Sequence, residues 1–328
     1  MQNAGEIRTS NKLSQNQWFG IWGVRNYYHK LELQAQAGAE FDLGYFLLVF
    51  AAGLLGTGGL LANSAAVIIG AMCVAPFLGP SRAVCIGGLY LDKEIFKRGL
   101  VKQLVGLFVV GAGFSYLITM VLKDAVPGIE ITHEILLRAM PTPKDVVLTL
   151  LIAIAAGAGA SLAFTADPHV VDQPWGQLID VMVGVEVAIS LLPPASVIGI
   201  GLALGNLQVT KNAFALLALN VFALDILGSM LIFALRGIRR RHFNLERAIR
   251  QIIEKELKCI SDTVHDCSVI DIALLSEDSV KVEIDISGHV GEFSKNLART
   301  IVTKIYEEAK CRSQVAVKIS PCQVSSSL

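Results

Sequence analysis

Three ionisable side chains stand deep in long apolar runs: Arg82, Glu186 and Asp225. Arg82 is the only charge between Leu43 and Leu91, and Asp225 is the only one from 212 to 235. A charge in hydrocarbon is costly unless it faces protein, a partner or water. Such residues therefore read as candidates for binding a solute or an ion. Arg82 suits a small anionic solute, Glu186 suits a coupling proton, and Asp225 is a second carboxylate at depth. A structural Arg82–Glu186 pair, or Arg82 reaching toward the headgroups, explains the same residues without function. Asn63 and Ser64 lie at a helix end. They read first as caps, and next as groups that a broken helix offers to an ion.

These residues need apolar helices to hold them. The chain has 328 residues, 53% apolar and 17% charged, with 29 glycines. That is too oily for an ordinary soluble domain. Runs without charge cover 103–122 and 146–166, and a helix crosses a bilayer with about 20 apolar residues. Six spans are predicted, at 43–62, 64–90, 103–122, 146–165, 178–204 and 212–235.

The stretch Val67–Asp92 returns without a gap as Val181–Asn206, 114 residues later. Gly70 aligns with Gly184, Pro80 with Pro194 and Gly87 with Gly201. Ala51–Gly53 and Ala155–Gly157 extend the likeness to the preceding spans. Two units of three spans follow, and an odd number of spans inverts the second unit in the membrane. Pro76 and Pro80, and likewise Pro193 and Pro194, predict a break in the second helix of each unit, because proline removes a donor and crowds the preceding turn. Gly79 belongs to the first break. Gly70 and Gly184 are predicted as the positions where helices cross, and Gly201 with Gly205 as a close-packing GxxxG pair.

The predicted fold is thus a polytopic all-α membrane protein with a small C-terminal α+β cytoplasmic domain. Segment 1–42 is cytoplasmic or interfacial, with Trp18, Phe19, Trp22 and Tyr28 suited to headgroups. The first unit is 43–122, an external loop 123–145, the second unit 146–235. From 236 to 328 a basic linker leads into a domain of order α-β-β-α-β, with a hairpin turn at Ser276–Ser279. Arg236, Arg239, Arg240 and Arg241, with Lys93, Lys97, Arg98 and Lys102, place both termini on the cytoplasmic side of the cell membrane. No signal peptide precedes the first span, which doubles as the targeting signal.

Residues 60–80, LLANSAAVIIGAMCVAPFLGP, and residues 189–205, ISLLPPASVIGIGLALG, carry a resemblance. Over roughly Leu43 to Leu235 the chain resembles the bacterial and archaeal family of uncharacterised hydrophobic membrane proteins known as domain of unknown function 389. Cys73, Phe77 and Arg82 depart from the hydrophobic or small residues usual there. The family implies a fold more than an activity.

The net formal charge is zero, so no nucleic-acid partner is expected. Cys259, His265 and Cys267 are loosely spaced, with Cys311 and Cys322 further on, and form no tight ligand set, so no metal and no cofactor are expected. No histidine lies in a span and no phosphate loop or nucleophile motif occurs, which argues against an enzyme. The partners expected are the lipid bilayer, a small solute or ion, and further copies in a homo-oligomer, a dimer being the simplest. The reading is a secondary transporter or ion-coupled carrier. A channel, or a membrane sensor or scaffold with a C-terminal regulatory domain, stands as the alternative.

Overall fold

The structure is a computed structural model that describes residues 23–139, scattered positions between 144 and 159, and residues 174–227, 229–230, 234, 240–258, 266–276, 278–287 and 293–320. The fourth predicted span, the aromatic segment around Trp18 and the residues Cys259, His265 and Cys322 fall largely or wholly outside the described residues. So do the surroundings of Gly184 and the side chain of Glu186, although the backbone there is helical. The chain divides into two compact units, 31–234 and the two ends 1–30 and 235–328.

The first unit is multi-pass and helical. Among the described residues three helices are long and apolar enough to cross a membrane: Leu43–Leu61, Lys93–Ala125 and Leu207–Ile226. The pair Ala65–Val74 and Leu78–Tyr90, bent by 56°, makes a fourth. Leu47, Leu54, Val109, Leu117 and Val121 are exposed on these helices, as lipid contact requires. A further helix, Pro174–Ala203, runs for 30 residues.

The first proline pair breaks its helix and the second does not. Ala75 takes extended angles, φ −74° and ψ 119°, because the residue before a proline is pushed out of the α region. Pro80 then sits in the first turn of Leu78–Tyr90, where its missing N–H costs nothing. The break thus follows from Pro76. Its counterpart 114 residues on is Ser190, so the second copy lacks the residue that forces the break. The expected interruption at Pro193 and Pro194 is corrected: both lie inside one continuous helix. Pro194 cannot donate to the carbonyl of Ser190, four residues back. Asn220 supplies the donor instead, Nδ2 to Ser190 O at 2.7 Å.

The glycine expectations also change. Gly70 is exposed and no described atom lies within 4 Å of a Cβ placed there, so it marks no crossing. The close crossing is at Gly199, where a Cβ would meet Ala112 O at 2.1 Å and Tyr116 N at 2.7 Å. Gly201 and Gly205 do not form a packing pair. Gly201 lies against Thr210 of the helix that follows, and Gly205 is the left-handed residue of the corner between the two helices, at φ +72°. Gly79 faces Gly38 backbone to backbone.

The second unit holds a three-stranded sheet of order β1-β2-β3, with β1 Asp266–Ser276, β2 Ser279–Ser287 and β3 Arg312–Ser320. β1 and β2 form an antiparallel hairpin, and β3 returns parallel to β2 after the helix Phe293–Ala309. The helix Arg240–Lys258 precedes the strands. Ile249, Ile253, Ile272, Val282, Ile284, Ile301 and Ile305 are buried. The short segment before the membrane helices belongs here too. Gly23 N donates to Leu274 O and Asn26 N to Ile272 O, both at 2.7 Å. Arg25 thereby forms an isolated antiparallel bridge to Ala273. Arg25 also pairs with Asp271 at 3.3 Å and Glu283 at 2.8 Å. Those two carboxylates face one another across the β1–β2 register, and the guanidinium offsets their repulsion.

Candidate functional site

Asp225 is the predicted site residue that the fold buries among polar neighbours. It lies in a short π-helical stretch, Ala223–Leu227, that follows directly on the apolar helix begun at Leu207. Such i→i+5 stretches occur mostly as single turns inside α-helices, often at functional sites. The residue is 4% exposed. Ser81, on Leu78–Tyr90, and Gln103, near the end of Lys93–Leu104, are the polar side chains that act on its carboxylate. All three come from different helices, and Ser81 and Gln103 are fully buried.

The cluster is close but incompletely bonded. Ser81 Oγ, both amide atoms of Gln103 and both carboxylate oxygens of Asp225 have no partner in good hydrogen-bond geometry among the described residues. Buried polar atoms are nearly always paired, with protein, water or an ion. The backbone carbonyl of Asp225, by contrast, is well satisfied. Ser229 Oγ donates to it at 2.5 Å and the Cys85 thiol at 3.4 Å. That carbonyl therefore anchors the stretch to Leu78–Tyr90 while the carboxylate stays available.

Beside it runs an apolar groove of about 860 Å³. Phe96, Phe108, Phe214, Leu217 and Phe222 line it, with Asp225 and Ser229 at its wall.

The other predicted residues are placed as follows. Arg82 is 8% exposed, next to Ser81 on the same helix. Glu186 lies on Pro174–Ala203 with its side chain outside the described residues. Asn63 and Ser64 sit in the tight turn between Leu43–Leu61 and Ala65–Val74. Asn63 takes φ +52° and its Oδ1 accepts the N–H of Glu134 at 3.1 Å. Ser64 holds the cap position without a side-chain cap bond. Both are turn residues, not neighbours of the Asp225 cluster in any described contact. Lys102, read only as a topogenic charge, is buried. Its Nζ donates to Gly38 O at 3.1 Å and Glu40 O at 2.5 Å and lies 4.7 Å from the Tyr45 ring. It closes off carbonyls at the end of the helix Tyr27–Ala39.

Ser81, Gln103 and Asn220 were not among the predicted site residues. Their signal was polarity without charge inside apolar runs, which a search for formal charges passes over.

The two corners that position these helices match in detail. Asp92 Oδ1 accepts Ile95 N at 3.2 Å, and Asn206 Oδ1 accepts Val209 N at 3.1 Å. Asp92 N donates to Gly87 O at 3.0 Å, and Asn206 N to Gly201 O at 2.8 Å. Leu91 and Gly205 are both left-handed, at φ +55° and +72°. Every one of these pairs is separated by 114 residues.

Residues 72–226 match the family described as Domain of unknown function (DUF389). An uncharacterized protein of Methanocaldococcus jannaschii is 24% identical over 192 residues, 58% of this chain and 54% of the relative. The chain thus spans about half the length of the relative it matches.

Proposed function

We propose, with that family match as the premise, that the protein is a secondary transporter, an ion-coupled carrier of a small solute. Its membrane part is two inverted three-helix units, each with a second helix (broken in the first copy, continuous in the second), a tight corner and a third helix carrying a π-helical stretch. The observation that carries this reading is the pair of corners related by 114 residues, with equivalent hydrogen bonds and a left-handed residue at the same position. The π stretches add to it: Val105–Ala112 overlaps Ala223–Leu227 at that same offset. Repeats of three helices, one of them interrupted beside buried polar residues, are the architecture of many carriers. Arg82 gives the path a preference for an anionic solute, and Asp225 supplies the coupling charge. Both termini face the cytoplasm. The alternative of a membrane sensor draws on the tie between segment 23–26 and β1.

Two measurements test the proposal. In a variant lacking the native cysteines, Lys93→Cys and Leu207→Cys mark the two corners. An inverted repeat puts them on opposite faces of the membrane, and labelling of both from one face overturns it. The purified chain in vesicles is then assayed for flux against a panel of small anions and cations. Saturable flux reduced at least tenfold in Arg82→Gln or Asp225→Asn supports a carrier. Unsaturable flux at channel rates, or none above empty vesicles, removes it.

A further inference from the structure

We infer that Asp225, Ser81 and Gln103 form a binding site for an alkali-metal cation, held between three membrane helices. The inference deepens the carrier reading by assigning its coupling ion, yet it rests on the cluster alone. One carboxylate, one hydroxyl and one amide converge, and all are buried. Among the described residues no cation pairs with Asp225, and the groups acting on its carboxylate are neutral. A lone buried carboxylate must be neutralised or leave its site.

The donor set selects the class of ion. Two carboxylate oxygens, the Ser81 hydroxyl and the Gln103 carbonyl are hard oxygen donors, and all lack partners among the described residues. A proton on the carboxyl would let it exchange hydrogen bonds with the Gln103 amide and accept from Ser81, so the proton is the competing occupant that the comparison of salts distinguishes. A calcium-like ion takes six to eight oxygens and usually several carboxylates, whereas one carboxylate converges here. A soft metal needs sulfur or imidazole, and the neighbouring Cys85 thiol is turned to the carbonyls of Leu224 and Asp225. A singly charged hard cation balances the single negative charge and uses the oxygens together. The π stretch is the element that sets Asp225 in register with the other two donors.

The test uses the full chain in detergent at pH 8. Thermal unfolding midpoints are compared in sodium, lithium, potassium and choline chloride at equal ionic strength. At least one alkali cation raises the midpoint saturably over choline, by about 5–10 °C at a hundred times its Kd. Asp225→Asn abolishes the rise, and Gln103→Leu moves half-saturation up at least tenfold. Identical midpoints in all four salts overturn the site. So does an undiminished rise in Asp225→Asn, or a midpoint that follows pH and ignores the salts. Should Asp225→Asn fail to fold, Gln103→Leu and Ser81→Ala decide, and unchanged half-saturation in both overturns the proposal. No flux enters this measurement. Vesicles that carry nothing while the cation response persists remove the carrier reading and leave the site. Flux without a cation response removes the site alone.

Discussion

Asn220 Nδ2 lies 2.7 Å from the carbonyl oxygen of Ser190, the carbonyl that Pro194 cannot serve. A proline inside a helix costs about 3 kcal/mol or more, much of it through the orphaned carbonyl and the crowded turn. The side chain of the next helix removes the first part of that cost. It accounts for Pro194, one of the two prolines that Pro174–Ala203 carries unbroken.

Asn220→Leu should therefore destabilise the protein by about 1–3 kcal/mol, the cost of an unsatisfied buried carbonyl. Pro194→Ala in the same background returns an N–H to Ser190 O and should recover most of the loss. A double-mutant cycle read by thermal unfolding measures the coupling. Additive effects would show that Asn220 acts elsewhere.

The corners give a graded series. A Cβ at Gly87 would lie 2.7 Å from Phe96 N and 3.0 Å from Phe96 Cα, whereas at Gly201 the nearest atom is Thr210 Oγ1, at 2.6 Å. Backbone cannot yield and a side chain can. Gly87→Ala should cost more than Gly201→Ala, each within about 1–3 kcal/mol. Thr210→Ala should relieve part of the Gly201→Ala loss. Gly70→Ala, facing open space, should be neutral. Unfolding midpoints of the four variants check the order.

Arg25 bridges Asp271 and Glu283 on the face of the sheet. The Lys281 ammonium above all, with the Arg25 guanidinium adding to it, holds the Glu283 carboxyl below its ordinary range, against the opposing effect of burial. A depressed folded-state pKa means stability present above the unfolded value and lost as pH falls through the carboxylate range. The groups are partly exposed, so the effect is below about 1 kcal/mol. In Arg25→Ala, amide exchange at Gly23 and Asn26 should quicken severalfold at pH 7. The difference from the unaltered chain should shrink by pH 4. An equal difference at both pH values would rule out the electrostatic role.

Lys102 sets a fourth expectation. Its ammonium serves two carbonyls, of Gly38 and Glu40, in a buried place. Lys102→Met keeps the bulk and removes both bonds, and should cost about 2–4 kcal/mol. Gly38→Ala should cost at least as much, since its Cβ would come 2.2 Å from Gly79 O. Yields and unfolding midpoints of the two variants test this.

Much of the frame was legible in the residues. The apolar runs at 43–62, 64–90, 103–122 and 212–235 overlap the membrane-length helices among the described residues, while the corners at Asp92 and Asn206 lay within the aligned stretches without being read as corners. The break at Pro76 was visible because the effect of proline on the preceding residue is local. The intact helix at Pro193–Pro194 was not, because its remedy is a side chain 30 residues away in sequence. The α-β-β-α-β order followed from alternation and turn chemistry. The attachment of Gly23–Asn26 did not: a two-residue pairing carries no periodicity. Asp225 was legible from its charge. Ser81 and Gln103 needed the packing of three helices to become neighbours.

The bridge of Arg25 to Ala273 joins two distant parts of the chain. During synthesis the segment at 23–26 leaves the ribosome well before β1, which follows some 240 residues later. No edge exists for it to join until β1 itself has been synthesised. This sheet is thus assembled from parts of the chain made far apart in time, and protease resistance of segment 23–26 would report that β1 has formed.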